Sequence, residues 1–408
     1  TSWTSIAGDL PKSIFSYVHV IREDPTRAGL LYLGTENSLF VSFDDGINWH
    51  ELQGNLPHAP VHWLTVQPHF NDLVIGTYGR GFWILDDITH LQLLTEDILD
   101  KPVHLFPPRP TYRYTPREGY NSQPDDPAAG DNPEPGAPIN FYIGNSFDGD
   151  VSVTIEGPDG QHIRTIEVES LRKGFNRIYW DLRYESSIPP LLRTSVLEHS
   201  HIKIGDRGYR PPPDGGSVRP IAAPGRYRVR LEAGDQIQES HFEILQDPES
   251  QASMTEILAQ LNFQLQLRDM SNSVSTLINR IEWVRKDLED LREQFGDDDQ
   301  HATQMDLGIE LEQTLILQEM ALFDLRLTGG SSRQDTIRWP RQLWAKISSL
   351  SQYSSGSDNR PTDQSLEVLN AYKASLQRSL DNWSSMEAKD LKAFNQMLTE
   401  SGLPPVGR

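Results

Sequence analysis

The sequence predicts a multidomain protein in which a β-rich half precedes an α-helical half. Residues 1 to about 100 are rich in β-branched and aromatic residues separated by Gly and Asp turns, and residues 139–246 repeat that character after a Pro-rich segment. From about residue 250 onward the chain is rich in Leu, Gln and Glu and poor in Pro and Gly. Because strands collect in one half and helices in the other, we expect separate domains.

Length and charge restrict the classes of partner. The 408 residues suffice for two to four domains, each with its own core. The formal net charge is −21, from 58 acidic and 37 basic residues, which argues against nucleic acid and anionic membrane as partners because both attract clustered Lys and Arg. The absence of Cys excludes disulfides, thiolate metal sites and a Cys nucleophile.

The first hundred residues contain an internal repeat. Residues 29–46 align with residues 71–88, so that Gly34-Thr35 falls on Gly76-Thr77 and Asp44-Asp45 falls on Asp86-Asp87. A period in the low forties with four short strands per unit is typical of a propeller blade. The sequence therefore predicts that residues 1–100 are two blades of a β-propeller. Two blades cannot close a ring, so we expect the remaining blades to come from the same precursor or from a separate chain.

The turn after the third strand of the first unit carries a recognisable motif. It has the form S-x-D-x-G-x-x-W, with Ser42, Asp44, Gly46 and Trp49 at the specified positions. This motif resembles the Asp-box of BNR-type β-propellers, which include sialidases, xyloglucanase-like glycosidases and the sortilin-like group. The resemblance implies a structural turn on the face away from the binding site. Trp3 aligns with Trp49, so the chain is expected to begin inside a repeat unit, and the second box is eroded at Ile88 and Leu91.

Two further segments complete the β-rich half. Residues 101–138 are a Pro-rich linker, expected to run extended over the surface. Residues 139–248 show alternating apolar positions and a Pro158-Asp159-Gly160 turn, which predict a β-sandwich. The strings "GPDGQHIRTI", "KGFNRIYWDLR" and "APGRYRVRL" resemble the Ig-like domain of FlgD, which is usually a spacer or docking module.

The predicted sandwich is interrupted by a long connection at residues 185–224. Connections of this length are usually functional or disordered. It contains the pair His199 and His201, which is a candidate metal clip because extended backbone places both imidazoles on one side. The pattern lacks a third ligand, so we predict no metal site and no cofactor. We expect the connection to pack across the propeller or against an adjacent subunit.

Residues 250–408 predict an antiparallel helical bundle. Val274, Leu277, Ile281 and the apolar residues that follow are spaced alternately by three and four, which forms a heptad seam that ends near Phe295. Three more helices are expected over 305–327, over 340–353 and from Pro361 onward. Short turns between amphipathic helices favour an up-and-down arrangement.

The repeat alignment also predicts a ligand-binding mouth. Turns between the second and third strands and connections between units should meet at one end of the blades. The candidate ligand-binding residues there are Glu36, Asn37, His58, His62, Tyr78 and Arg80, with Asp9 and Lys12 expected nearby. Arg80 could clamp a carboxylate, but we favour a structural ion pair with an acidic neighbour.

Two functional hypotheses follow, with a third alternative. The order of domains resembles the C-terminal part of large bacterial BNR or sortilin-like "glycosyl hydrolase" family proteins. We prefer a secreted or periplasmic binding or scaffold module that docks protein or glycan. The first alternative is a sialidase- or xyloglucanase-like glycoside hydrolase whose active site lies mostly in blades outside this chain. The second is an accessory subunit of a larger assembly, with homo-oligomerisation as a further arrangement. No catalytic residue is assigned.

Overall fold

The computed structural model describes residues 2–114, 130–329 and 335–407. The chain divides into two compact units, which do not follow the sequence order. The β unit comprises Thr1–Leu182 and Gly225–Leu245, and the helical unit comprises Arg183–Pro224 and Gln246–Arg408. The predicted multidomain architecture, β-rich first and helical second, is confirmed.

Four antiparallel sheets form the β unit. Their strands, in chain order, are β1 Val18–Glu23, β2 Leu31–Thr35, β3 Leu39–Ser42, β4 His50–Glu51, β5 Val61–Gln67, β6 Asp72–Thr77, β7 Phe82–Leu85, β8 Val103–Leu105, β9 Thr111–Arg113, β10 Ala137–Ile143, β11 Val151–Glu156, β12 His162–Glu167, β13 Gly174–Trp180, β14 Gly225–Ala233 and β15 Gln236–Gln246.

The α-helices include two short ones in the β unit and a larger set in the helical unit. They are α1 Thr89–Leu93, α2 Glu96–Leu99, α3 Met254–Phe295, α4 Ala302–Met320, α5 Asp335–Arg338, α6 Leu343–Ser354, α7 Asp363–Met386 and α8 Lys392–Glu400. In the part of the chain that the structure describes, none of the helices is both long and apolar enough to cross a bilayer.

The first two sheets pack face to face. Sheet 1 has the order β1-β2-β3-β4 and sheet 2 has the order β5-β6-β7. One shared apolar cluster joins them, to which sheet 1 contributes Tyr32 and Val41 and sheet 2 contributes Leu64 and Ile75. The opposite face of sheet 1 is also covered, because Leu10 packs there in a cluster that includes the turn residue Trp49. The central strands β2 and β3 of sheet 1 are therefore buried on both faces.

Gly34 lies where the two sheets come closest. A Cβ at this position would lie 2.5 Å from the carbonyl oxygen of Val61 and 2.6 Å from its Cγ1. A backbone oxygen at that distance cannot move without shifting β5, so only glycine fits here. In the first repeat, the packing of sheet 1 against sheet 2 therefore requires the glycine of the Gly-Thr pair.

The other two sheets also pack face to face. Sheet 3 has the order β13-β10-β8 and sheet 4 the order β12-β11-β14-β15-β9. The Trp180 ring from sheet 3 lies 5.5 Å from Tyr227 and 6.1 Å from Phe242 of sheet 4, centroid to centroid. Trp180 is fully buried, as expected for a core aromatic residue.

Sheet 3 is tied to the end of sheet 2 by polar contacts. Asn140 donates its side-chain amide to the buried carboxylate of Asp87 at 2.8 Å. Arg177 donates to the main-chain carbonyls of Asp86 and Asp87 at 2.7 and 2.6 Å. The eroded second copy of the turn motif therefore lies at the junction with sheet 3.

Helix α3 organises the helical unit. It begins at a capping box formed by Ser253 and Glu256, which satisfies its first backbone donors. The predicted seam is buried along this helix, from Val274 through Leu291. It joins the core cluster that also contains residues of α4, α6, α7 and α8.

Two of the predicted helix boundaries were wrong. Helix α4 ends at Met320 rather than at 327, because the Glu319 carbonyl accepts the N–H groups of Leu322 and Phe323 as the chain turns. Buried apolar residues continue to Leu327 in irregular backbone. Their spacing resembles a helical pattern, so the helix was predicted too long. Helix α6 begins at Leu343, after Pro340 rather than at it.

The connection at residues 185–224 does not pack as expected. It belongs to the helical unit and packs against α3, where Leu192 and Val218 join the helical core. Its backbone N–H groups bond to polar side chains of that helix: Ile188 to Asn272 at 2.8 Å and Leu191 to Asn279 at 2.6 Å. These bonds satisfy backbone donors that have no strand partner.

Glu282 holds the next residues of this connection. Its carboxylate accepts the backbone N–H groups of Arg193 and Thr194 and the hydroxyl of Thr194, which lies 3.0 Å away. Arg285 lies between Glu282 and Glu319, at 3.3 and 2.7 Å from their carboxylate oxygens. All three charged side chains are buried.

Burial raises the pKa of Glu319 well above its usual range. The nearby carboxylate of Glu282 adds to this effect and the guanidinium of Arg285 opposes it. Burial disfavours two ionised carboxylates side by side, so the arrangement favours a proton on Glu319. A neutral Glu319 can then donate a hydrogen bond to Glu282.

We expect Gly34→Ala to loosen the contact between sheets 1 and 2. The added methyl group meets the Val61 carbonyl, so the strands must separate, at a cost of about 1–3 kcal/mol. Amide hydrogen exchange measured by mass spectrometry should become faster in β2 and β5. Gly130→Ala is the matched control, because a Cβ there meets nothing within 4 Å. Equal exchange rates in both variants would contradict the close approach.

We expect Glu319→Gln to reduce the pH dependence of stability of the helical unit. A raised pKa in the folded state means that the unfolded chain ionises first, so stability falls as pH rises above the ordinary carboxyl range. One such group contributes a slope of up to about 1.4 kcal/mol per pH unit. Urea unfolding followed by helical circular dichroism across pH measures it. Glu310→Gln, an exposed position on α4, should leave the slope unchanged.

Candidate functional site

Two histidines occupy equivalent positions in the two repeats. His19 follows Val18 at the start of β1, and His62 follows Val61 at the start of β5. The strand register shifts between Val18 and Val20, and again between Val61 and Trp63. Each histidine is therefore the extra residue of a β-bulge, a device that redirects a side chain and is common near functional sites.

A second pair of equivalent residues follows each Gly-Thr pair. The N–H of Glu36 donates to the carbonyl of Tyr17 at 3.1 Å, and the N–H of Tyr78 donates to the carbonyl of Pro60 at 2.8 Å. These matching bonds place Glu36 beside the first bulge and Tyr78 beside the second. The close approach at Gly34 then brings the two bulges together.

Tyr17, His19, Glu36, His62 and Tyr78 form what we call the histidine–glutamate cluster. The His19 Nε2 atom lies 2.7 Å from Glu36 Oε2. The His19 and His62 rings lie 4.1 Å apart, and Tyr78 stacks on His62 at 5.5 Å, centroid to centroid. The Tyr17 ring meets His19 edge-on at 4.9 Å. Five side chains from both repeats thus share one small site.

Hydrogen bonds inside the cluster shift two pKa values. The hydrogen bond from His19, followed by one from the Tyr17 hydroxyl, holds the pKa of Glu36 below its usual range. The same bond to Glu36 raises the pKa of Tyr17. Both effects favour a Glu36 carboxylate at neutral pH, with a neutral Tyr17 as donor.

The cluster combines metal-ligand chemistry with exposed rings. One donor atom from each of His19, Glu36 and His62 lies within 4.8 Å of the other two. His19 and Glu36 are only 19% and 28% exposed, whereas Tyr17 and Tyr78 are 56% and 72% exposed. Partly buried donors with exposed aromatic neighbours can hold an ion or a polar ligand and stack on its apolar parts.

The remaining predicted mouth residues lie outside the cluster. His58 Nδ1 lies 3.3 Å from the Asn37 side-chain nitrogen, so these two residues form a separate pair. The Arg80 side chain is exposed, and within the described ranges no acidic residue forms an ion pair with it. The predicted ion pair of Arg80 is therefore not found there.

The turn-motif residues make local structural contacts. Asp44 accepts hydrogen bonds from the Ser42 hydroxyl at 2.8 Å and from the Asn48 N–H at 2.9 Å, and Gly46 has a left-handed φ of 84°. The Trp49 side chain is buried and donates to the Ile6 carbonyl at 2.8 Å. These contacts fix the turn.

Asp9 and Trp3 differ from their predicted places. Asp9, expected near the mouth, instead accepts the backbone N–H of Trp49 at 3.0 Å. Trp3 aligns with Trp49 in the sequence but is 97% exposed, whereas Trp49 is 6% exposed. The N-terminal segment therefore holds Trp49 in place through Asp9 and the Ile6 carbonyl.

The pair His199 and His201 lies in the helical unit. The two rings are 5.8 Å apart and nearly perpendicular. Among the described residues no third histidine or carboxylate donor joins them. The described residues therefore supply two donors at this pair and no third.

Sequence reasoning missed Tyr17 and His19. The available signal was the dipeptide Val-His, which occurs at positions 18–19 and again at positions 61–62. Aligning these dipeptides predicts that the two histidines are equivalent. The bulge that turns both of them toward one site is not encoded in a simple alternating pattern.

Comparison with known proteins assigns no family to the chain. No protein-family model matches it. No curated protein matches it. One solved structure that matches is described as the extracellular domain of a putative hybrid two-component system from B. thetaiotaomicron. The match covers 56% of the present chain and 25% of that protein, with 11% sequence identity and a TM-score of 0.15. The match thus spans about a quarter of that neighbour, and similarity this low carries no conclusion about fold or function.

Proposed function

We propose that this chain is a docking module in which residues 1–100 are two blades of an Asp-box propeller in an extracellular or periplasmic protein. The supporting observation is an exposed apolar face of sheet 2, where Arg22 packs over the Trp63 ring and Phe82 and Ile84 remain exposed. The proposed occupant of that face is another antiparallel sheet of the same repeat. The Ig-like interpretation of residues 139–248 belongs to the same proposal.

The exposed face of sheet 2 is apolar across three strands. Trp63, Gly76 and Phe82 lie side by side in β5, β6 and β7, and Val74 pairs with Ile84 in the next row. Phe82 is 86% exposed, Trp63 60% and Ile84 59%. Contiguous apolar surface of this kind usually marks an interaction site.

The equivalent face of sheet 1 supports the choice of occupant. There Val20 pairs with Gly34 and Gly34 with Leu39, which matches the row that contains Trp63, Gly76 and Phe82. Val20 and Leu39 are buried against sheet 2. Since one repeat covers this face of the preceding repeat, a further repeat is the partner whose shape the exposed face fits.

A second copy of this chain fits less well. To continue the stack, the copy would have to present the outer face of its sheet 1, which contains Leu31, Leu33 and Phe40. That face is already covered by Leu10 and by Trp49. Homo-oligomerisation through this face would require displacement of the N-terminal segment.

The glycoside hydrolase alternative gains no specific support. The usual mechanism needs two carboxyl groups on opposite sides of the scissile bond. The histidine–glutamate cluster contributes one, Glu36. We therefore assign this cluster a binding role toward a glycan or protein ligand within the docking proposal.

The docking proposal predicts which polypeptide contacts Phe82. The photo-crosslinking residue p-benzoylphenylalanine placed at position 82, in cells of the source organism, should crosslink to a strand segment with the Gly-Thr and Asp-Asp pairs of the repeat. Mass spectrometry of the crosslinked peptides identifies the segment. The same residue at position 317, 75% exposed on the helical unit, is the control and should not give this product.

Substitution of the face supplies an independent measurement. Trp63→Ser together with Phe82→Ser should weaken the association by about 10–100-fold, because buried aromatic anchors contribute much of the energy of an interface.

Crosslinks only to peptides of this same chain would replace the proposal with self-association. Crosslinks only to segments without the repeat would refute it.

A further inference from the structure

We propose that His19, Glu36 and His62 bind a divalent transition-metal ion, with Zn²⁺ as the first candidate. The proposal rests on the geometry of the histidine–glutamate cluster. It does not require that another sheet docks on sheet 2, so the two proposals can fail separately.

The donor set matches the chemistry of such ions. Two imidazole nitrogens and one carboxylate oxygen lie within 4.8 Å of one another. Imidazole favours zinc, iron, nickel and copper over calcium and magnesium, which prefer oxygen ligands alone. Two histidines and one glutamate are an established ligand set for zinc sites that keep an open position.

The separations require only small side-chain movements. Ligand bonds of about 2.0–2.1 Å in a tetrahedral site place the donor atoms roughly 3.3 Å apart. His19 Nε2 and Glu36 Oε2 are 2.7 Å apart, so they would separate by about 0.6 Å as an ion replaces the hydrogen atom between them. His62 must supply the remaining movement, and its side chain is exposed.

The third ligand is available. Within the described residues, the His62 ring stacks on Tyr78 and lies tilted against His19, and it makes no hydrogen bond. A ring nitrogen without a protein partner can turn toward an ion without breaking an existing bond. Contact with two rings limits the conformations of the free side chain, which reduces the entropy lost on binding.

Supporting contacts around the ligands are in place. The Tyr17 hydroxyl donates to Glu36 and orients its carboxylate. Such outer contacts typically affect metal affinity by about 10–100-fold. His19 lies at the bulge in β1 of sheet 1, and His62 lies at the bulge in β5 of sheet 2. An ion would therefore link the two repeats directly.

Three protein ligands leave a coordination position for a ligand. The exposed rings of Tyr17 and Tyr78 flank the cluster. An anionic oxygen, such as the carboxylate of an acidic sugar or of a peptide side chain, would suit the open position. The metal site would thus give the mouth a preference for anionic ligands despite the net charge of −21.

The test is calorimetric titration of ZnCl₂ into the full chain, purified without a polyhistidine tag. One ion should bind per chain with a dissociation constant in the micromolar range or tighter. His62→Ala and Glu36→Gln should each weaken binding at least about 10–100-fold, and Tyr17→Phe should weaken it about tenfold. Ca²⁺ and Mg²⁺ titrated in the same way should not compete.

Two matched controls make the result specific to this cluster. His58→Ala removes an exposed histidine nearby that pairs with Asn37, and the double change His199→Ala with His201→Ala removes the other histidine pair. Both should bind Zn²⁺ as the unmodified chain does. Far-UV circular dichroism without metal should be the same for all variants, which separates loss of ligands from loss of fold.

Three outcomes would overturn the proposal. The first is no Zn²⁺ binding by the unmodified chain below millimolar concentration. The second is full binding by His62→Ala and Glu36→Gln. The third is loss of binding only when His199 and His201 are replaced, which would move the site to the helical unit.

Discussion

The approach of two backbones at Gly34 and Val61 is the constraint on which the rest of the β unit depends. Because no side chain separates them, sheets 1 and 2 lie close enough to share one apolar core and to bring His19 beside His62. Across the described ranges, the other face of sheet 2 keeps Phe82 and Ile84 exposed. The shared core and the polar cluster therefore both depend on the absence of a single Cβ atom at Gly34.

The two repeats use one local design for different purposes. Asp45 and Asp87 both adopt left-handed backbone at equivalent turns, with φ of 60° and 50°. In the first copy the turn is closed by its own side chains and capped by Trp49. In the second copy Asp87 is buried and bonds to Asn140 instead. Loss of the motif in the second repeat thus accompanies a contact with sheet 3.

The sequence predicted what depends on periodicity and missed what depends on irregular backbone. The order of β and α segments and the seam from Val274 to Leu291 follow from regular spacing and are found in the structure. The mouth residues Glu36, His62 and Tyr78 lie together because the repeat places them alike. The signal for His19 was its Val-His dipeptide, which repeats at positions 61–62 and makes His19 equivalent to His62. The placement of residues 185–224 was missed because Glu282 resembles any polar helix position.

Residues 183–224 separate the two parts of the β unit in the sequence, yet they pack on α3 as part of the helical unit. This segment precedes the helices in the chain, and the backbone N–H groups of Ile188, Leu191 and Thr194 find their acceptors on residues 272–282. During synthesis it leaves the ribosome before those acceptors exist. Strands β14 and β15 lie between this segment and α3 in the chain, so they are also synthesised before its acceptors. A division of the gene after residue 245 would keep every segment of the β unit in one piece, but the helical piece would lack residues 183–224, which contribute Leu192 and Val218 to its core.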